Sequence, residues 1–93
     1  MGELLLATGM TLVTTDAVGA VVVEYAALLA AGVASDVIRI PVVVSGGVRM
    51  CDVLLQPTAA IAHIMDGSFE TKIEGSDMAV EDIHNRMRAE SGV

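Results

Sequence analysis

"SDVIRIPVVVSGGVRMCDVLLQ", residues 35–56, decides the fold. Two runs rich in β-branched side chains flank Gly46-Gly47, a pair that tolerates the positive φ of a two-residue hairpin turn. A turn there sets Ser45 against Val48, Val43 against Met50, Pro41 against Asp52 and Ile40 against Val53. Side chains alternate across a strand. One face then collects Ile38, Ile40, Val42, Val44, Cys51, Val53 and Leu55, interrupted by Arg49 near the tip. The other collects Val37, Arg39, Pro41, Val43, Val48, Met50, Asp52 and Leu54, with Arg39 and Asp52 placed diagonally for pairing. The first face is expected to meet a helix. The second is still too apolar for a sheet face left in water. Pro41 lacks a backbone donor, which places its strand at an edge or a local bulge.

The covering helix precedes this hairpin. "DAVGAVVVEYAALLAAGVAS", residues 16–35, can be capped by Thr14, Thr15 or Asp16 and ended at Gly32. Stepping 100° per residue puts Val18, Val21, Val22, Tyr25, Leu28 and Leu29 on one side. Ala20, Val23, Glu24, Ala27, Ala30 and Ala31 fall on the other. The helix is thus amphipathic in size more than in polarity. Nineteen residues separate Asp16 from Asp36, close to the roughly 20 needed to span a bilayer. Glu24 in their midst and Gly32 near their end argue against a span, and no membrane partner is expected.

Upstream, "ELLLATGMTLVTT" predicts a second hairpin turning at Thr8-Gly9, with Ala7 against Met10, Leu5 against Leu12 and Leu4 against Val13. Downstream, Pro57 breaks the chain and residues 60–65 suit a short strand. "FETKIEG" has no clear period. "SDMAVEDIHNRMRA" predicts a helix with leading acids and trailing arginines, an order that suits the macrodipole. Its apolar stripe, Val80, Ile83 and Met87, is narrow enough to need a neighbour. The fold class is therefore α+β: a ββαββ(β), mostly antiparallel sheet with one covering helix and a C-terminal helix. The same element order occurs in the β-grasp fold, which is the alternative. Residues 1–65 read as a compact body and residues 66–93 as an acidic, polar tail.

Apolar side chains make up 54% of the 93 residues, and glycine adds nine positions. A domain this small hides only roughly 60–65% of its unfolded surface. The surplus is expected to face another copy of the chain, as a homodimer or a higher oligomer, or another protein. The net charge of −7 and the lack of a basic run exclude nucleic acid as a partner. One cysteine, Cys51, rules out an internal disulfide, and the N-terminal apolar run lacks a basic start. The expected compartment is the cytoplasm.

The run "DAVGAVVVEYAALLAAG", followed by "SDVIRIPVVVSGGV", "DVLLQPTAAI" and a closing strand, resembles small actinobacterial proteins of hairpin-helix-hairpin pattern. These share D-x-x-x-x-x-x-x-E-Y-A, then D-x-x-x-x-P with a hydrophobic strand and a P-[ST] turn. The resemblance covers residues 2–65 and implies a fold. It implies no activity and no site residue.

Candidate chemistry is sparse. Cys51 with His63 or His84 could form a nucleophile pair, but Cys51 falls on the expected core face, where a free cysteine acts as a small apolar residue. His63, Asp66 and His84 lack the spacings of zinc or calcium sites. Glu24 on an apolar helix could carry acid-base chemistry, or simply stand at the boundary. Gly46-Gly47 and Asp66-Gly67-Ser68 are turns, and no glycine-rich loop enters a helix as a phosphate cradle would. No catalytic residue, metal or cofactor is assigned. The expected function is that of a homo-oligomeric interaction module. Its interface would use Val37, Val43, Val48, Met50 and Leu54 on the sheet, or Ala20, Ala27 and Ala31 on the helix. The alternative is a ligand-binding protein or enzyme with a pocket at a subunit junction, lined by Met50, Met65, His63 and Glu24.

Overall fold

The computed structural model describes residues 1–67 and 72–90. Their order is β1 (Gly2–Leu6), β2 (Thr11–Thr14), α1 (Asp16–Ala31), β3 (Asp36–Val44), β4 (Gly47–Leu55), β5 (Ile61–Ile64) and α2 (Ser76–Glu90). The strands form one sheet, ordered β4-β3-β2-β1-β5, and every neighbouring pair is antiparallel. The fold class is α+β. The parallel central pair of a β-grasp sheet is absent among the described residues.

Both hairpins form, each with a register other than the expected one. In the first, Leu4 pairs with Leu12 and Glu3 with Val13. The loop is Ala7-Thr8-Gly9, closed by the Leu6 N–H donating to the Met10 carbonyl at 2.9 Å, with Gly9 at φ 90°. A three-residue loop ending in a left-handed glycine shifts the pairing by one residue. That slip reassigns faces, and Leu4 and Leu12 turn inward together. In the second hairpin the turn is Ser45-Gly46, at φ 51° and 77°, so Val43 pairs with Val48, Pro41 with Met50 and Ile40 with Cys51. This slip is of two residues and leaves both faces as expected. Arg39 and Asp52 become direct partners, with Nε 2.8 Å from Oδ1.

Pro41 sits in neither an edge strand nor a bulge. β3 lies between β4 and β2, and its register with β4 is unbroken from Asp36 to Val44. Its ladder to β2, however, holds the single pair Val13–Val43. Pro41 stands where that ladder has already ended, so its missing donor leaves no gap. The Thr14 hydroxyl donates to the Pro41 carbonyl at 2.7 Å in place of a backbone bond.

A flat sheet is incompatible with the link from β4 to β5. Those strands hold opposite edges and run in the same direction. Six Cα steps, Leu55 to Ile61, reach at most roughly 20 Å. The outer strands of a flat five-stranded sheet stand roughly 19 Å apart, before the run from one end to the other is added. The sheet therefore curls until its edges approach each other at residues 56–60.

The bulky side of α1 fills the concave side. Val18, Val21, Val22, Tyr25 and Leu29 are buried with Leu4, Leu12, Ile38, Ile40, Val42, Val53 and Leu55. Each such side chain contributes about 1.5–3 kcal/mol. Thr15 caps α1, its hydroxyl oxygen accepting from the Val18 N–H at 3.2 Å. Gly32 closes the helix, but the left-handed position falls on Val33, at φ 52° and 79% exposed. The Val33 and Ala34 amides return to the Ala30 and Leu29 carbonyls, a Schellman arrangement that ordinarily takes glycine where Val33 stands.

α2 packs where β2 leaves β3 unpaired. Ala79 and Ile83 join the core, and Val80 and Met87 pack against it. The Thr15 and Ser76 hydroxyls lie 2.8 Å apart, tying the two helix starts together. At the other end the Tyr25 hydroxyl donates to Asp36 Oδ2 at 2.6 Å. Arg86 donates to the same oxygen at 2.8 Å, to the Val37 carbonyl at 3.3 Å and to Asp82 at 2.9 Å. Burial, then the hydrogen bond to the Asp36 carboxylate, pushes the Tyr25 hydroxyl up to about 12. Burial pulls Asp36 upward too, but the bonds from Tyr25, Arg86 and the Val37 amide outweigh it and hold the carboxyl below its ordinary value. The turn at Asp66-Gly67-Ser68 and the FETKIEG segment run into residues 68–71, outside the described residues.

Candidate functional site

No helix or strand among the described residues lies across the convex face of the sheet. Its side chains follow from the register. One row crosses all five strands: Ile64, Glu3, Val13, Val43 and Val48. Beside it run Leu5 on β1, then the cross-strand pairs Pro41–Met50, Arg39–Asp52 and Val37–Leu54. Met50 is 53% exposed, and Val37, Val48, Leu54 and Ile64 are similarly open. Val43 is half-buried and Pro41 is buried, and a Cβ placed on Gly75 would stand 3.5 Å from Met50 Sδ and 3.9 Å from Pro41 Cβ. Leu5, Val13 and Ile64 extend the face beyond the residues expected from sequence. The β1–β2 register places Leu5 and Val13 there, and the pairing of β5 with β1 adds Ile64.

The charge on this face is nearly balanced. Arg39 and Asp52 form an ion pair, leaving Glu3. The chain as a whole carries −7. Such a surface offers mainly apolar contact. The other candidate surface, α1's small side, is also open: Ala20, Ala27 and Ala31 are exposed, with Glu24 among them. Methyl groups present far less area than the valines, leucine and methionine of the sheet.

Around His63 the structure makes a tight internal joint. The side chain is 6% exposed and points from β5 at the start of α1, with Nε2 3.3 Å from Asp16 Oδ1. Gly19 and Gly2 leave room for the ring. A Cβ at Gly19 would stand 2.5 Å from its Cδ2 and Nε2 atoms. His63 Nε2 is buried and makes no well-aligned hydrogen bond. The Asp66 amide donates to the same Asp16 oxygen at 3.4 Å. Sequence spacing pointed from His63 to Asp66 and His84, whereas His84 is exposed on α2. No group of three metal-ligating side chains is assembled among the described residues.

The remaining sequence candidates are scattered. Cys51 is half-buried on the concave side of β4, Glu24 is exposed on α1, and Met65 is exposed after β5. Met50 lies on the convex face and His63 on the concave one, so a single chain does not bring Met50, Met65, His63 and Glu24 together, and the expected pocket at a subunit junction would need a second copy. A cavity of about 260 Å³ does open elsewhere, where the curled edges approach. It is bordered by the β1–β2 turn, the second half of β4 and residues 59–61. Among the described residues, no helix is long and apolar enough to cross a membrane. Compared with family models, curated proteins and solved structures, the chain matches none.

Proposed function

We propose that this protein is a homo-oligomeric interaction module, most simply a dimer, that associates through the convex face of its sheet. The observation that carries the reading is the row from Ile64 to Val48, apolar but for Glu3, with Met50, Leu54 and Val37 exposed beside it. Monomers seldom leave contiguous apolar patches of more than a few hundred Å² in water. Two twisted sheets can pack face to face at roughly 10 Å with their side chains interdigitated. A second copy suits this surface on electrostatic grounds as well. Two chains of net charge −7 repel each other, and the nearly neutral convex face is where that repulsion is weakest. The small side of α1 is the lesser surface, and the cytoplasm is the proposed compartment, supported by the single cysteine.

Sedimentation at micromolar concentration tests the proposal. The parent chain is expected at twice the monomer mass or more, with association strengthened by added salt as the like charges are screened. Val43→Lys and Met50→Lys each place an ammonium in the interface and are expected to return the monomer mass. A folded parent that sediments as a monomer removes the reading. A mass unchanged by both substitutions moves the interface off the sheet.

A further inference from the structure

We propose that the cleft between the curled edges of the sheet binds a small, neutral, largely apolar molecule carrying one hydrogen-bonding group. The inference is independent of self-association through the convex face. It begins with the connection from β4 to β5. The link of residues 56–60 is short enough to draw the edge strands together, yet β4 and β5 form no ladder with each other. The space left between β4, the β1–β2 turn and residues 59–61 is about 260 Å³. An apolar cavity of about 150 Å³ already takes up benzene, and sites for drug-sized ligands begin near about 300 Å³. The fitting occupant is therefore a single substituted ring, a fused bicycle or a short chain.

The walls define its chemistry. Leu12, Val53, Leu55 and Ile61 supply apolar surface, while Ala26 and Ala59 leave the space unfilled. Asp52 is the one ionisable carboxylate on the lining, and it is already paired with Arg39. A charged ligand would find no counter-ion there, which selects a neutral one. Backbone groups on the outward edges of β4 and β5 have no further strand to pair with among the described residues. Within the link, the one backbone bond among the described residues runs from the Ala59 N–H to the Gln56 carbonyl, at 3.2 Å. A ligand hydroxyl, amide or ring N–H can take up one of the free edge groups, while the rest of the ligand lies against the leucines and valine.

Indole is a suitable probe: neutral, bicyclic and with one N–H. In a heteronuclear NMR titration of the full chain, saturable shifts are expected at Leu6, Ala26, Val53, Leu55 and Ile61, half-complete at about 1 mM or below. Bound indole should also slow the reaction of Cys51, which lines the cleft, with an aromatic disulfide reagent. Ala59→Leu and, separately, Ala26→Leu fill the space and should each weaken binding by about tenfold or more. If one of them fails to fold, the other decides. Shifts that stay linear and scatter over the convex face overturn the proposal. So does parent-like binding in a folded, filled variant.

Discussion

The two faces of the β3–β4 hairpin are built from nearly the same amino acids and meet opposite fates. On the concave side Ile38, Ile40, Val42, Val53 and Leu55 are buried under α1 and α2. On the convex side Val37, Val48, Met50 and Leu54 face outward uncovered. Composition does not separate them. The difference lies in what one polypeptide has left to cover them with. A 16-residue helix closes one face, and α2 goes to the unpaired edge of β3 and not to the second face. An apolar sheet face is a commitment to packing, and the chain meets that commitment once within itself.

The largest expected effect tests the contrast directly. Ile40→Ala, at a fully buried position, should lower monomer stability by about 3 kcal/mol. Met50→Ala should lower it by under about 1 kcal/mol. Chemical denaturation at a concentration low enough to dissociate any oligomer measures both. Equal losses would mean that the convex face is as well packed as the core.

The closed face also depends on the joint at His63. Alanine in place of glycine ordinarily stabilises a helix by about 1 kcal/mol. At Gly19 the new methyl meets the imidazole, so Gly19→Ala should cost about 1–3 kcal/mol. In a His63→Ala background the sign should revert to the ordinary gain. A cycle without that reversal would mean that the ring does not set the spacing of β5 and α1.

The polar seam of the closed face sets its pH limits. Tyr25 has a folded pKa of about 12 against an ordinary 10.0. Its neutral form is favoured in the native state, so its stabilisation is complete below pH 10 and is lost as pH rises toward 12. Asp36 is depressed from 3.8. Its contribution is complete above that value and is lost as pH falls through the lower folded value. Tyr25→Phe should flatten the alkaline limb, and Asp36→Asn the acid one, in stability measured from pH 2 to 12. The convex pair Arg39–Asp52 is exposed, so Asp52→Asn should leave both limbs nearly as they were.

The smallest effects lie away from both faces. Val33 holds a left-handed φ with its side chain in water, and Val33→Gly should raise stability by about 1 kcal/mol. Ser45→Asn, at the first position of the Ser45-Gly46 turn, should add a few tenths of a kcal/mol. Thermal unfolding checks both. A destabilised Val33→Gly chain would assign that side chain a contact of its own.

Much of this was legible in the sequence because strand period and helix period are local properties. The sides of α1 followed from 100° steps; Gly32 marked its end, and its start was narrowed to Thr14, Thr15 or Asp16, of which Thr15 is the cap. The faces of β3 and β4 survived a mistaken turn because a slip of two keeps the alternation. The first hairpin was misread because Gly9 serves a three-residue loop, and a slip of one exchanges faces. What sequence could not supply was long-range: β5 joining β1, Asp16 meeting His63, and Arg86 reaching Asp36. The last two partners stand 47 and 50 residues apart, with no spacing rule to connect them. The cleft was invisible for the same reason, since it exists only where the two sheet edges approach.

The pairing of β1 with β5 has a consequence for biosynthesis. Glu3 waits for Ile64, so β1 keeps a bare margin until the chain between those two residues has been made. During that interval the hydrogen-bonding groups along Glu3–Leu6 are open to a strand from a neighbouring chain on the same message. Slow translation through residues 15–60 would lengthen the exposure, and crowded polysomes would make a swapped partner more frequent.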